Sequence, residues 1–320
     1  MKARRVLVTG GAGFIGSHLV DKLMSEGGQV VVVDNFSSGS LRNVERWLGS
    51  PRFKVIASDL KVESLELREH FRDVEAVLHF AANPEVRISA AEPRVHFNEN
   101  LVATFNVLET MRRRDVPWMV FASSSTVYGE PKTIPTPESY PTEPISVYGT
   151  VKLAAEELIK TYVRLYGLHA LILRYANIIG SRSTHGVIVD FIRKLRENPS
   201  VLEILGDGTQ RKSYMHISDA IDATVHLYLW ALKEKASCEV FNVGNEDWVT
   251  VVEIADIVSG AMGLKPKYVF KPMTPDGRGW PGDVKFMLLD ISKLKSTGWA
   301  PQMNSRRAVE KAVGELLKEV

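Results

Sequence analysis

A tyrosine and a lysine stand four positions apart in the motif Tyr148-Gly-Thr-Val-Lys152, which opens a helical pattern running to about Tyr166. Residues with this spacing lie on the same face of a helix. A phenol has a pKa near about 10 and is a poor base at neutral pH, but a neighbouring ammonium group favours the phenolate. The pair can therefore exchange a proton with an alcohol. Because the same spacing also occurs by chance on helix surfaces, the pair needs supporting context.

Three serines follow a buried strand pattern in the segment Phe121-Ala-Ser-Ser-Ser125. The carboxyl end of a strand lies on the ligand side of an open α/β sheet. A hydroxyl group there can share the hydrogen bond of a reacting oxygen, so Ser124 is the predicted third catalytic residue beside Tyr148 and Lys152. The alternative is that the serines only end the strand in a turn.

A glycine-rich loop lies near the start of the chain, where the strand pattern Arg5–Thr9 runs into Gly10-Gly-Ala-Gly13-Phe-Ile-Gly16 and a helix pattern. Such a loop forms a tight turn, lets the backbone approach a pyrophosphate, and places phosphate charge at a helix N-terminus. A second strand pattern ends at Asp34, 18 residues after Gly16. A carboxylate there accepts hydrogen bonds from ribose hydroxyls and repels a 2′-phosphate, so the sequence predicts NAD rather than NADP.

Strand and helix patterns alternate through the first half of the chain. The predicted strands are 5–9, 29–34, 53–59, 76–80 and 118–123, and the predicted helices are 15–26, 41–48, 64–71, 100–114 and 148–166. Strands separated by helices indicate a parallel, doubly wound sheet. The sequence thus predicts an α/β fold with a Rossmann NAD-binding domain over 1–174 and a smaller C-terminal α/β substrate domain over 175–320. Residues 218–247 are a candidate segment for returning to the first domain.

The composition excludes several classes of protein. The chain has 320 residues, of which 45% are hydrophobic and 24% charged, with a net charge of +2. It has no basic stripe typical of nucleic-acid binding and no apolar run of about 18 residues that would predict a membrane span. Cys238 is the only cysteine, and no signal-peptide pattern precedes the first strand, so a cytoplasmic protein is expected. The histidines lack metal-ligand spacing, and no metal site is predicted.

Together these motifs resemble the extended short-chain dehydrogenase/reductase family. Besides the glycine loop, Asp34, Ser124 and the Tyr148/Lys152 pair, the resemblance is carried by Asp59-Leu60, His79-Phe-Ala-Ala82, Val127-Tyr-Gly129, Arg174-Tyr-Ala-Asn177, Gly206-Asp-Gly-Thr-Gln-Arg211 and Gly298-Trp-Ala-Pro301. It implies an NAD-dependent enzyme that epimerises carbon four of a UDP-hexose, interconverting UDP-glucose and UDP-galactose through a transient keto sugar. It also implies a homodimer that pairs the helices after Phe97 and around Tyr148.

The resemblance also implies roles for individual residues. The implied cofactor-binding residues are Gly10, Gly13, Phe14, Ile15, Gly16, Asp34, Asn35, Ser38, Gly39, Asp59, Leu60, Phe80, Ala81, Ala82, Asn100, Tyr148, Lys152 and Ala176. The implied substrate-binding residues are Ser124, Tyr148, Asn177, Arg211, Arg278 and Asp283. Among these, Asn177 and Arg211 are expected to hold the nucleotide diphosphate, and Asp283 is expected to meet the uridine ribose.

Two positions depart from the pattern of many epimerases. Trp280 stands where an arginine is usual, three residues before Asp283, and Pro84 stands where a lysine is usual. Arg278, two positions before Trp280, is therefore the candidate for the missing phosphate contact.

Related activities remain open from the sequence. Ser125 and Thr126 stand where sugar dehydratases have an acidic pair, and decarboxylases of UDP-glucuronate usually have Glu at the position of Thr126. Without an acid to protonate a leaving hydroxyl, elimination is poorly supported. An epimerase for a UDP-N-acetylhexosamine or a UDP-uronate, and a net NAD-dependent nucleotide-sugar dehydrogenase or reductase, remain as alternatives. A non-catalytic NAD-sensing module is a more remote one.

Overall fold

The computed structural model describes residues 5–89 and 91–319, and it is built around a parallel sheet of seven strands. From one edge to the other these are Cys238–Val243, His169–Tyr175, Trp118–Ser124, Ala76–His79, Arg5–Thr9, Gln29–Asp34 and Phe53–Ala57. Every neighbouring pair in this sheet is parallel. The order, with helices between the strands, confirms the predicted doubly wound Rossmann fold.

Helices cover both faces of the large sheet. They are Phe14–Ser25, Leu65–Glu69, Pro93–His96, Ala103–Arg113, Val147–Tyr166 and Ile217–Glu234. In the second strand, Val30 and Val32 pack into one hydrophobic core while Val31 and Val33 pack into the other. An uninterrupted valine run is what a strand covered on both faces requires, because its side chains alternate between two buried layers.

Two predicted helices differ in the structure. Instead of a helix over 41–48 the chain forms two 3-10 turns, Leu41–Asn43 and Glu45–Trp47. Between them Val44 is fully buried with a φ of −125°, so its packing interrupts the helical path. The helix predicted to begin at Asn100 begins earlier. There Pro93–His96 continues through a π-helical turn, Phe97–Val102, into Ala103–Arg113.

The other described strands are short and form small sheets in the C-terminal part. Tyr214–His216 pairs with Asn177–Ile179, Arg211–Lys212 pairs with both Val249–Thr250 and Phe286–Met287, and Lys267–Lys271 pairs with Val201–Leu205. The accompanying helices are Val187–Glu197, Val251–Ala261, Ser292–Ser296 and Ser305–Glu319. Three of these helices share a third hydrophobic core with strand Val201–Leu205.

The chain crosses between the two parts more than once. The strand Cys238–Val243, which follows helix Ile217–Glu234, pairs with His169–Tyr175 as an edge strand of the large sheet. The division into domains at residue 175 stays a prediction. Among the helices of the described ranges, none is long and apolar enough to cross a membrane.

Candidate active site

A cavity of about 510 Å³ lies at the carboxyl ends of the central strands and continues towards the C-terminal part. Most of the predicted site residues line it, namely Gly10, Gly13, Phe14, Ile15, Gly16, Asp34, Asn35, Ser38, Asp59, Leu60, Phe80, Ala81, Ala82, Ser124, Tyr148, Lys152, Ala176, Asn177 and Asp283. Four others, all within the described ranges, are not among its lining residues: Gly39, Asn100, Arg211 and Arg278. The structure therefore brings the catalytic candidates and most of the cofactor-binding candidates together. Of the residues expected to bind the phosphates, Asn177 lines the cavity, but Arg211 and Arg278 do not.

The glycine loop has the close backbone contacts that a dinucleotide site needs. Gly10 has a φ of +65°, and a Cβ at this position would lie 2.7 Å from the backbone nitrogen of Ala81. A Cβ on Gly16 would overlap the carbonyl oxygen of Gly10. Gly13 is the N-cap of helix Phe14–Ser25 and leaves its N-terminus without a capping side chain. The loop therefore fits a pyrophosphate bound at the helix N-terminus.

Asp34 ends its strand as a buried carboxylate beside this loop. It accepts hydrogen bonds from the backbone nitrogens of Ala12 at 2.9 Å and Phe36 at 2.8 Å. A carboxylate can accept about four hydrogen bonds, so it keeps capacity for two ribose hydroxyls. A Cβ on Gly39 would lie 3.1 Å from a carboxylate oxygen of Asp34, so a larger residue at this position would crowd the carboxylate. A fixed negative charge here fits NAD and disfavours a 2′-phosphate.

The side chain of Asn100 is hydrogen-bonded to the loop that follows strand Ala76–His79. Its side-chain oxygen accepts a hydrogen bond from the nitrogen of Asn83 at 2.7 Å, and its amide donates to the carbonyl of Asn83 at 3.1 Å. This side chain belongs to the π-helical turn, a feature that often marks functional sites in helices. Asn100 therefore holds this loop in place, and the cofactor-binding role that the resemblance implies for it stays a prediction.

The three catalytic candidates converge at the next strand end. The Nζ of Lys152 donates to the carbonyl of Ala122 at 2.8 Å and lies 5.9 Å from the centre of the Tyr148 ring. Tyr148 hydrogen-bonds with Ser124, whose hydroxyl accepts from the hydroxyl of Thr126 at 3.0 Å. A phenol, an ammonium and a hydroxyl therefore meet beside the predicted dinucleotide groove. The arrangement can transfer a proton to or from an alcohol.

Burial changes the acidity of both groups on the helix. It raises the pKa of Tyr148 to about 12, and the hydrogen bond with Ser124 opposes this rise. Burial lowers the pKa of Lys152 to about 8, against the attraction of Glu156 one helical turn further on. Tyr148 therefore needs positive charge close to its oxygen before it can act as a base at neutral pH. Lys152 stays mainly protonated at pH 7 and lies 5.9 Å from the centre of the Tyr148 ring, so it is the candidate source of that charge.

A buried ion pair packs behind this site. The carboxylate of Glu156 accepts two hydrogen bonds from Arg174, at 2.7 and 3.0 Å, and one from the hydroxyl of Ser123 at 2.5 Å. Arg174 in turn donates to the hydroxyl of Tyr128 at 2.9 Å. The network ties the helix that carries Lys152 to the strand that ends at Ser124. The sequence placed Arg174 in a family motif but gave no sign of its partner.

At the substrate end, the structure places Lys212 where Arg211 was expected. Arg211 is exposed, and its guanidinium lies 4.8 Å from the ring centre of Trp248 and 5.1 Å from that of Phe286. Lys212 lines the cavity and forms an ion pair with the buried Asp283 at 2.8 Å. Successive residues of a strand point to opposite faces, so a placement one residue off reverses the direction of the side chain.

Arg278 is not free for the role expected of it. Its guanidinium is bonded to the carboxylates of Glu130 and Asp276, and it donates to the carbonyl oxygen of Asp283 at 2.6 Å. The hydrogen bonds to these carboxylates raise its pKa above the usual value. Arg278 therefore joins the loop before Asp283 to the segment after strand Trp118–Ser124, and it does not line the cavity.

Sequence reasoning missed several residues of the cavity wall. Trp280 lines it, as do Glu85 and Arg87, which form a two-bond ion pair at 2.9 and 3.0 Å. Arg182 lines it as well and donates to Asp21 at 2.7 Å. Only Trp280 carried a signal in the sequence, as a departure from the expected arginine. Within the described ranges, no cluster of three or more His, Cys, Asp or Glu residues could hold a metal ion.

A doubly wound sheet with this glycine loop, an aspartate at the end of the second strand and a Tyr–Lys–Ser group in one cavity defines a dinucleotide-dependent enzyme of the short-chain dehydrogenase/reductase type. The chain belongs to the NAD dependent epimerase/dehydratase family, whose pattern it matches over residues 6–244. The resemblance stated from the sequence is thereby confirmed, and NAD is the cofactor.

The chain is similar to proteins that act on several nucleotide sugars. A crystal structure of a UDP-galactose 4-epimerase is 49% identical, with a TM-score of 0.88, and covers 99% of both chains. UDP-glucuronic acid 4-epimerase from Bacillus cereus, in complex with UDP-glucuronic acid and NAD, is 28% identical, with a TM-score of 0.88, covering 99% of this chain and 100% of that one. UDP-glucuronic acid decarboxylase 1 from Danio rerio is 31% identical, covering 99% of this chain and 73% of its own length.

Proposed function

We propose that this enzyme is a UDP-hexose 4-epimerase that interconverts UDP-glucose and UDP-galactose. The observation that carries the proposal is the convergence of Tyr148, Lys152 and Ser124 in one cavity, with no carboxylic acid at positions 125 and 126. Simple oxidation and reduction at one carbon needs only a proton acceptor and a hydride acceptor. The 49% identity to a UDP-galactose 4-epimerase supports the same choice of reaction.

In this scheme the chain's own residues handle the proton and the grip on the nucleotide. The Tyr148 oxygen takes the proton of the hydroxyl at carbon four, while Ser124 shares the hydrogen bond of the same oxygen. The Lys152 ammonium lowers the energy of the phenolate. Bound NAD supplies the hydride acceptor and donor, and ends each turnover unchanged. Tight binding of the diphosphate and loose binding of the hexose let the keto sugar rotate in the site while its nucleotide stays bound.

The decarboxylase and dehydratase alternatives lack support at the position after Ser125. Thr126 provides a hydroxyl that donates to Ser124, and a hydroxyl is too weak an acid to protonate a leaving group. Glu85, an acid in the cavity wall, is already paired with Arg87, and this pairing lowers the pKa of Glu85. Uronate and N-acetylhexosamine substrates remain outcomes of the test below.

The proposal is tested by incubating the purified enzyme with a panel of UDP-sugars and separating the products by chromatography. We expect UDP-galactose and UDP-glucose to interconvert without added reductant and without build-up of free reduced NAD. Deuterium at carbon four of UDP-galactose should remain at carbon four of the UDP-glucose formed. Loss of the label to solvent would exclude the oxidation–reduction route. Turnover of only UDP-glucuronate or a UDP-N-acetylhexosamine would reassign the substrate.

Lys212 is the proposed contact of the nucleotide diphosphate, in place of Arg211. Its ammonium lines the cavity, and replacing it with alanine would leave the buried Asp283 carboxylate unpaired beside the phosphates. We expect Lys212→Ala to weaken UDP binding by about 1.5–3 kcal/mol, or about 10- to 100-fold, measured by calorimetric titration.

Arg211→Ala is the matched control, because it removes a neighbouring positive charge whose side chain stacks on Trp248 outside the cavity. UDP affinity should change by less than about 3-fold, as expected for an exposed charge. A larger loss in Arg211→Ala than in Lys212→Ala would reverse the assignment.

We also propose that the enzyme is a cytoplasmic homodimer. Phe97 and Phe105, on the π-helical turn and the helix after it, have 51% and 42% of their surface exposed. Two exposed aromatic side chains on this continuous helical segment favour a partner surface there.

A further inference from the structure

Trp280 is a half-buried tryptophan in the wall of the cavity, within the loop that leads to Asp283. Its indole Nε1 is buried and finds no hydrogen-bond acceptor in the described part of the chain. Buried N–H groups are paired in most proteins, since leaving one unpaired is unfavourable. An acceptor brought by a ligand would satisfy it.

Two cations lie beside the same ring. The Nζ of Lys212 is 5.6 Å from the ring centre of Trp280, and the guanidinium carbon of Arg87 is 6.0 Å from it. An ammonium has three N–H donors and a guanidinium five, whereas Asp283 takes one from Lys212 and Glu85 takes two from Arg87. Donors from two separate segments of the chain therefore lie beside the ring, and the indole N–H is the third donor of the group. Both cations are already paired with a carboxylate. Of the three kinds of donor here, only the neutral indole N–H is not paired with one in the described part of the chain.

We infer that Trp280 binds a phosphoryl oxygen of the nucleoside diphosphate through its indole N–H, between Lys212 and Arg87. The inference rests on the proposed function, because it takes UDP as the bound group. A phosphoryl oxygen is a strong acceptor, and an N–H donor in a dry wall gives a stronger bond than the same donor in water. Arg278 fixes the loop that carries Trp280, because it bonds to Glu130 and to the carbonyl oxygen of Asp283.

Calorimetric titration of UDP and of uridine into three variants tests the inference. Trp280→Phe keeps an aromatic ring but removes the N–H group, and we expect it to weaken UDP binding about 10- to 100-fold, the scale of a hydrogen bond to a charged group. Uridine, which has no phosphate, should bind with an affinity changed by less than about 3-fold. Trp280→Arg restores an N–H donor and should keep UDP affinity within about 3-fold of the unaltered enzyme. Trp248→Phe, a tryptophan outside the cavity lining, is the matched control.

The outcomes separate this inference from the proposed function. Equal UDP affinity in Trp280→Phe and Trp248→Phe would overturn the role of Trp280 and leave the proposed function intact. Equal losses in Trp280→Phe and Trp280→Arg would show that ring shape and not the N–H group matters, which also overturns it. If the unaltered enzyme bound no UDP at all, the proposed function itself would fail. Thermal unfolding of each variant identifies any loss of UDP affinity that comes from misfolding. If Trp280→Phe is misfolded, the UDP affinity of a folded Trp280→Arg variant tests the inference.

Discussion

Replacing Tyr148 with phenylalanine should lower turnover by about 10²–10⁴-fold, the usual contribution of a positioned acid or base. The substitution keeps the aromatic ring, which packs edge-to-face against His96 at 5.5 Å between ring centres, and removes only the oxygen that moves the proton. NAD affinity should change little, because the substitution leaves unchanged the glycine loop and Asp34, which are expected to bind the pyrophosphate and the ribose. Steady-state rates of UDP-galactose conversion and a fluorescence titration with NAD measure the two quantities.

Tyr166→Phe provides the control for this result. Tyr166 ends the same helix, has 49% of its surface exposed and lies outside the cavity lining, so the loss of its hydroxyl should leave turnover unchanged. If Tyr148→Phe retained more than about a tenth of the activity, another group would have to move the proton. Ser124 would then be the next residue to replace.

The fold and the catalytic group followed from local sequence signals. The valine run, the glycine loop and Asp34 each require a specific backbone environment, and the structure has a two-sided strand, a tight turn and a strand end at those positions. Tyr148 and Lys152 share a helix, so the separation of their side chains depends only on helical geometry. Ser124 ends the strand beside that helix.

The substrate end could not be predicted in the same way, because its contacts join distant segments. Whether Arg211 or Lys212 faces the cavity depends on the register of a two-residue strand, which no periodic pattern of such short length can fix. One partner of Arg278 is Glu130, 148 residues away, and no local signal links the two residues. Likewise Val44 is buried in the hydrophobic core that also contains Val30 and Val32. This burial prevents the helix that the local pattern over 41–48 predicts.

Burial of the Lys152 ammonium should destabilise the folded enzyme. Lys152 is 3% exposed, and burial lowers its pKa from 10.5 to about 8. Such a shift corresponds to about 3 kcal/mol of unfavourable free energy while the group is charged. Lys152→Met keeps the length of the side chain and removes the charge, so it should stabilise the enzyme without NAD by about 1–3 kcal/mol. The lower limit allows for the Ala122 carbonyl, which loses its donor.

The pH dependence gives this stabilisation a direction that can be checked. Below about pH 8 both the folded and the unfolded states carry a charged Lys152, so the destabilisation is complete. As the pH rises from about 8 to 10.5 the folded state loses its proton first, and the unfolded state then binds more protons, so the original enzyme gains stability with pH. Thermal unfolding of the two proteins at pH 7 and pH 9.5 should therefore show a difference that narrows at the higher pH. A constant difference would mean that packing and not charge is responsible.

The same variant should be slower in turnover at saturating NAD. An opposite charge within about 4–6 Å shifts a pKa by about 1–3 units, so losing the Lys152 ammonium should reduce the phenolate fraction of Tyr148, and with it turnover, by about 10- to 1000-fold. Lys233→Met neutralises an exposed lysine on helix Ile217–Glu234 that pairs with Glu234 at 3.9 Å, and it should alter neither turnover nor the pH dependence of stability. A Lys152→Met enzyme that was both more stable and fully active would show that Tyr148 obtains its positive charge elsewhere. A variant that was more stable and slow would mean that the buried ammonium is kept for catalysis at the expense of the fold.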